Sequence, residues 1–370
     1  MMVEDQRKIL FVANVAKEHI MKFHIPTIRR FKAQGWIVDV ACSGVEDIPY
    51  CDRQYKMCWE RSPFTLKTIR GVQDLQRIIE TNYYDIVYCH TPVGGLIGRL
   101  AARKARKLGT KVIYCAHGLH FFKGAPKFNW LVYYPIEKFL SLLTDYIFVV
   151  NKEDYTLLSE KFRTKICFVP EVGVNFERLI TDDREKLRRR YRDELRISDS
   201  TTAMIYVAEI IPNKNQRMLI DVTKELISRG KDVCLILPGP EHDGGATKQY
   251  ANDNGIKDKV LFLGWRDDVG GLMYAADICV ASSIREGFGI NLVEAMYCGL
   301  PVIATKNRGH EMIIEDGVNG FLVEVGDNNA MADKVTLLME NSSLLKSNDV
   351  GKYDCEKIAG ELYDVLISCL

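Results

Sequence analysis

Short apolar runs separated by helical stretches recur along this 370-residue chain, and that alternation limits what it can fold into. Residues 8–13, 36–41, 85–90, 111–116, 145–150 and 165–170 are apolar at nearly every position. A strand apolar on both sides must be covered on both faces, the condition of a parallel sheet with helices above and below it. Helical periodicity fills 20–34, 66–82, 95–108, 128–143 and 152–162. The series stops at 170–179, passes a charged helix at 184–195, and restarts with strands at 203–208, 232–238, 259–264, 277–282 and 301–305. Helices near 213–229, 246–254, 268–275, 290–298 and 327–341 alternate with this second set. The pattern predicts an α/β chain of two doubly wound, Rossmann-like domains, 1–172 and 173–351, with a C-terminal helix at 352–370 as a candidate to pack back on the first. If the two domains face each other, the ligand-binding edges of both sheets line a central cleft.

Composition removes several classes. With 47% hydrophobic and 27% charged residues, the chain is ordinary globular protein. The most apolar long segment, 130–150, is interrupted by Pro135, Glu137, Lys138 and Asp145, so no membrane span is expected. The acidic N-terminus does not read as a secretory leader. The 11 scattered cysteines, without a C-x-x-C pair, read as free thiols of a reducing, cytoplasmic compartment. A net charge of +1 hides an asymmetry. Residues 1–175 hold 26 Lys and Arg against 17 Asp and Glu, and the remainder 24 against 32. A basic first half calls for an anionic partner. Phe121, Phe122, Lys123, Lys127, Phe128, Trp130, Tyr133 and Tyr134 form an aromatic and basic cluster, which suits either an anionic membrane surface or the core face of a helix. No nucleic-acid module is present. The Arg- and Lys-rich run at 184–196 alternates with acids and reads as a solvated helix.

Chemistry is expected where strands end. After the strand at 277–282 come Glu286, Gly287, Phe288, Gly289, Ile290, Asn291 and, one turn into a helix, Glu294. The glycines let backbone approach a ligand, and the amides of a helix start suit a diphosphate. Glu294 is placed to bond a diol such as ribose, and Glu286 to face the group beyond the phosphates. A plain strand–turn–helix with two solvated glutamates is the alternative.

Together with its neighbours this segment resembles the donor site of retaining glycosyltransferases of family 4, which have the two-domain GT-B fold. The family has two glutamates separated by seven residues, then a helix and a Gly-x-Pro-Val strand, matched here by Glu286, Glu294 and the run from Gly299 to Val302. Residues 262–269, with Trp265 and Arg266, resemble the loop near the nucleotide base, and 316–327 the C-terminal landmarks. Where the family has Gly-Arg and then Lys on the diphosphate, this chain has Ala208, Glu209 and Lys214, a variant similar to members acting in capsule and exopolysaccharide assembly. Arg266 or Arg285 is a candidate for the missing cation, and the helix dipole alone is the alternative. His117, after the strand at 111–116, matches the histidine that approaches the donor sugar, and His120 is a weaker companion. His90 reads as a local backbone cap. The family's Gly-Gly loop near residue 14 is absent, leaving Lys17, His19 and Lys22, with Lys123, as replacement acceptor contacts.

The resemblance implies a glycosyltransferase, hexosyl- or N-acetylhexosaminyl-, that is retaining and uses no cofactor. Its donor is a nucleotide sugar, UDP-linked in the first place. Its acceptor is a lipid-diphosphate-linked glycan at the inner face of the cell membrane. Glu286, His117 and Lys214 carry catalysis. No Asp-x-Asp sits in a suitable loop, so no metal is expected. The alternatives are a non-catalytic accessory subunit and a GT-B sugar-nucleotide epimerase.

Overall fold

The computed structural model describes residues 6–59, 66–169, 173–341, 344–345 and 349–370. The predicted joint at 172 lies outside the described residues. The chain divides into two compact units, Met1–Gly173 with Cys355–Leu370, and Val174–Asp354.

In the first unit β1 (Lys8–Val12), β2 (Ile37–Cys42), β3 (Arg53–Lys56), β4 (Ile86–His90), β5 (Lys111–Ala116), β6 (Tyr146–Val149) and β7 (Lys165–Phe168) form one sheet. Its order is β3-β2-β1-β4-β5-β6-β7 and every pairing is parallel. Side chains alternate across a strand, so each strand feeds two cores. Leu10, Val12, Val87, Cys89, Val112 and Tyr114 join one cluster. Ile9, Phe11, Ile86, Tyr88, Ile113 and Cys115 join the other. The helix Cys355–Ser368 closes this second cluster with Leu362 and Leu366, and Tyr363 packs edge-on against Phe31 at 4.8 Å.

The second unit has β8 (Thr202–Ile205), β9 (Val233–Pro238), β10 (Val260–Gly264), β11 (Ile278–Ala281), β12 (Val302–Thr305) and β13 (Phe321–Val323), in the order β10-β9-β8-β11-β12-β13. It too is all parallel. Both units are therefore doubly wound α/β layers, as the alternation predicts.

Several features depart from the sequence reading, among them the sixth strand of the second unit, β13, and the division of the helix expected at 95–108 into Pro92–Ala101 and Arg103–Lys107. The edge strand β3 has the sequence RQYK, too polar to announce a strand. The segment 20–34 is not one helix: a π-helix, Ala16–His24, runs into an α-helix, Ile25–Ala33. The helix Arg184–Leu195 is not simply solvated. Arg192 is fully buried and donates to the carbonyls of Ala275 (2.9 Å), the last residue of the helix Val269–Ala275, and Thr201 (2.6 Å), just before β8.

A second buried arginine ties the first unit together. Arg99, on the helix Pro92–Ala101, makes a two-pronged bond to Glu137 (2.8 and 3.1 Å) on the helix Lys127–Ser141. Its guanidinium lies 3.9 Å from the Tyr114 ring centre. Breaking such a pair leaves a buried charge uncompensated. Glu137→Ala is therefore expected to cost the first unit about 3–5 kcal/mol, and the double change to leucines much less. The check is urea unfolding followed by Trp36, Trp59 and Trp130, all in that unit.

Candidate active site

In the second unit the strand order reverses between β8 and β11, and the loops leaving those two strands meet there. The loop after β8 ends in a short 3₁₀ turn, Pro212–Lys214, and Asn215 in the left-handed region (φ 53°) before the helix Gln216–Ser228. The loop after β11 runs through Ser282–Gly289 into the helix Ile290–Tyr297. Hydrogen bonds onto backbone carbonyls sew them together. Ile284 N donates to Asn213 O (2.8 Å) and Asn213 Nδ2 to Arg285 O (2.9 Å). Ser282 Oγ donates to Lys214 O (2.8 Å).

This sewing brings Lys214 Nζ onto Glu286 Oε1 as an ion pair. Ser283 Oγ also donates to that oxygen (2.5 Å), so Tyr206 OH, 2.5 Å from Ser283 Oγ, must be the donor in its own bond. Burial and the nearby Glu286 raise the Tyr206 pKa, which keeps that proton in place. Behind the loop, Thr305 Oγ1 (2.6 Å) and Asn307 Nδ2 (3.1 Å) donate to Ser283 O. Arg308 Nε donates to Glu286 O (3.2 Å). A Cβ on Gly309 would lie 2.7 Å from Glu286 Cβ, so only glycine lets this support come so close.

Glu294, 2% exposed, forms an ion pair with Arg178 from the turn Glu177–Leu179. The helix Ile290–Tyr297 begins at Gly289 with no side-chain cap. Asn291 Nδ2 is buried and finds no hydrogen-bond partner among the described residues. A cation and two carboxylates, each prebonded, thus stand beside an uncapped helix start and an unused amide donor. Arg178, Tyr206 and Ser283 are members that sequence reasoning missed. Each is ordinary in its local pattern, and only the fold brings it to the glutamates.

Arg266 belongs elsewhere. It holds Asp268 with both prongs (2.7 and 2.5 Å) and Glu194 (3.1 Å). Those bonds raise its pKa, and they lower that of Asp268 to about 2. The guanidinium clamps the helix Arg184–Leu195 to the loop after β10, so it is not a spare cation for the position Glu209 occupies. Trp265 is exposed, as is Glu209.

In the first unit the predicted residues separate. Lys17, Lys22, His120 and Lys123 are exposed, and His120 stacks on Tyr133 at 4.6 Å. His19 is instead buried, 4.5 Å ring to ring from His117. His24 and His90 complete a group of four, so His90 sits inside a ring cluster and is not merely a local cap. One potential ligand atom from each of the four lies within 4.8 Å of the others. Burial lowers the pKa of His24 and His90, and burial with His117 lowers His19 to about 2, so all three are neutral at pH 7. Of the aromatic and basic cluster, Phe121, Trp130, Tyr133 and Tyr134 pack on the core. Phe128 and Leu131 are exposed beside Lys127, with Phe139 exposed beside Lys138.

Comparison with known proteins follows the same division. Residues 188–354 match the family described as Glycosyl transferases group 1, and residues 8–151 the one described as Glycosyl transferase 4-like. The chain is 41% identical over 342 residues to the putative glycosyltransferase EpsD of Bacillus subtilis (strain 168), covering 92% of this chain and 89% of that one. It is 27% identical over 274 residues to the UDP-Gal:alpha-D-GlcNAc-diphosphoundecaprenol alpha-1,3-galactosyltransferase of Escherichia coli, covering 71% and 68%. The crystal structure of Anabaena Alr3699/HepE in complex with UDP and glucose has the same fold, with a TM-score of 0.78 at 20% identity over 98% of this chain and all of that one.

The Arg178–Glu294 pair gives a direct check. Arg178→Ala leaves the buried Glu294 carboxylate unpaired, which typically costs about 3–5 kcal/mol. Hydrogen exchange at 286–297 is expected to quicken in Arg178→Ala, and to recover in part when Glu294→Gln is added.

Proposed function

Because the chain belongs to the group 1 and 4-like glycosyltransferases, with their two Rossmann-like GT-B domains, we propose that it moves a sugar from a nucleotide sugar to a lipid-diphosphate-linked glycan. The product belongs to an exopolysaccharide or capsule. The observation that carries this reading is the meeting of Lys214, Glu286 and the unused Asn291 amide where the strand order reverses.

The donor would exchange partners with groups already charged and positioned. Its diphosphate takes Lys214 from Glu286 and the amides at the start of the helix Ile290–Tyr297. Its ribose takes Glu294, and Glu286 turns to the sugar hydroxyls. Lys214 neutralises the leaving diphosphate, so that this step uses no metal. Transfer retains configuration. The bond from the anomeric carbon to the phosphate oxygen breaks, the acceptor oxygen bonds to the same face, and the acceptor proton passes to the leaving phosphate. The protein contributes position and charge, not a nucleophile.

The name of the E. coli relative specifies a UDP-linked donor and a diphosphoundecaprenol-linked acceptor, and both classes are carried to this chain as the reading to test. No helix among the described residues is long and apolar enough to cross a membrane. For an acceptor in the membrane, exposed Phe128 and Leu131 among lysines are suited to docking at its inner face.

Thermal unfolding with UDP, GDP, ADP and their sugars, in chelator, tests the donor site. Saturation at a hundredfold the Kd stabilises by about 2.7 kcal/mol. UDP and one UDP-sugar are expected to shift the transition, Glu294→Ala and Lys214→Ala to abolish the shift, and chelator to leave it intact. No response to any nucleotide overturns the reading. For docking, the pair Phe128→Asp and Leu131→Asp is expected to cut cosedimentation with anionic vesicles severalfold while leaving the UDP response unchanged.

A further inference from the structure

Of the seven histidines in the chain, four meet at one edge of the first sheet. They come from three separate places. His19 and His24 lie on the π-helix that follows β1, His90 is the last residue of β4, and His117 comes just after β5. The neighbours β1 and β4 are where the strand order of this sheet reverses.

The winding of the π-helix matters here. In an α-helix, residues five apart point about 140° away from each other. With π-helical i→i+5 bonding they fall within roughly 50°. The π-helix spans Ala16–His24, so its winding puts His19 and His24 on one face, with their Nε2 atoms 3.0 Å apart. Ring centres across the four run from 4.0 Å (His24 to His90) to 5.9 Å (His24 to His117). Four imidazoles bound through nitrogen at about 2.0–2.1 Å to a tetrahedral zinc ion set their ring centres roughly 5 Å apart, the middle of that range. His24 is fully buried and its Nδ1 has no hydrogen-bond partner among the described residues. Among the described residues no carboxylate belongs to the group, which disfavours magnesium or calcium and suits a borderline metal that accepts imidazole.

We propose that His19, His24, His90 and His117 form a binding site for one divalent transition metal, zinc in the first instance. The ion would join the loops after β1, β4 and β5, and it goes beyond the transfer reading, whose donor diphosphate is held by the other unit. Because metal on one imidazole nitrogen leaves the other as a fixed N–H donor, His117 could be a ligand and still contact a hydroxyl.

The test uses the full chain, purified through a tag that contains no histidine and dialysed. About one zinc per chain is expected by elemental analysis, with at least tenfold less in His24→Asn and no loss in His242→Gln, an exposed histidine of the other unit. Cobalt added to chain stripped of metal should give the visible bands of tetrahedral coordination, saturating at one equivalent. Should His24→Asn fail to fold, His117→Asn, the partly exposed member, must still change those bands. Zinc below about a tenth per chain after incubation with excess zinc, together with no tetrahedral cobalt spectrum, overturns the proposal. So do unchanged bands in a folded His117→Asn chain. UDP stabilisation measured on the same samples bears on the transfer reading alone.

Discussion

A parallel strand covered on both faces can present chemistry only at its ends. Every side chain along it is spent on one core or the other, as the split of Ile9, Leu10, Phe11 and Val12 between two clusters illustrates. Ligand chemistry is therefore displaced to the loops beyond the strands. Where strand order reverses, neighbouring loops diverge to opposite faces and leave room between them. Both units obey this constraint. The histidines stand at the β1/β4 reversal, and Lys214 with Glu286 at the β8/β11 reversal.

The charges at the second reversal are held ready by being already bonded. Lys214 rests on Glu286, Glu294 on Arg178, and Ser283 passes the Tyr206 hydroxyl proton direction on to Glu286. Each contact fixes a rotamer that would otherwise have to be ordered at the moment of binding. A ligand that replaces one charged partner with another exchanges interactions instead of creating them. Affinity in such a site then depends on the difference between two pairings and is correspondingly tunable. Arg266 illustrates the opposite arrangement: with two carboxylates on it, it holds a helix in place.

Much of this was legible in the chain itself. The alternation of apolar runs and helices gives the fold class because burial on both faces leaves a continuous signal. Strands lacking that signal, such as β3 with Arg53 and Lys56, were invisible because an edge strand is held by backbone bonds. The glutamates and Lys214 were legible as a pattern along one loop and one helix start. Arg178, Tyr206 and Ser283 were not, since each becomes significant only through a partner from 77 to 116 positions away or through a relay to Glu286. Likewise His24 carried no local mark, and His90 only that of a residue ending a strand. Five-residue spacing means nothing on an α-helix, and the π-helical winding that gives it meaning is set by tertiary packing.

The helix Cys355–Ser368 belongs to the first unit although the whole second unit lies before it in the chain. Leu362 and Leu366 complete a core whose other members, among them Ile9, Phe31 and Phe148, are made hundreds of residues earlier. During synthesis the second unit has all its strands before the first has its last helix. The ordinary N-terminal-first order of folding is thereby inverted for the final step. Until the ribosome has delivered 355–370, the nascent first unit carries an uncovered apolar face where Leu362 and Leu366 will sit.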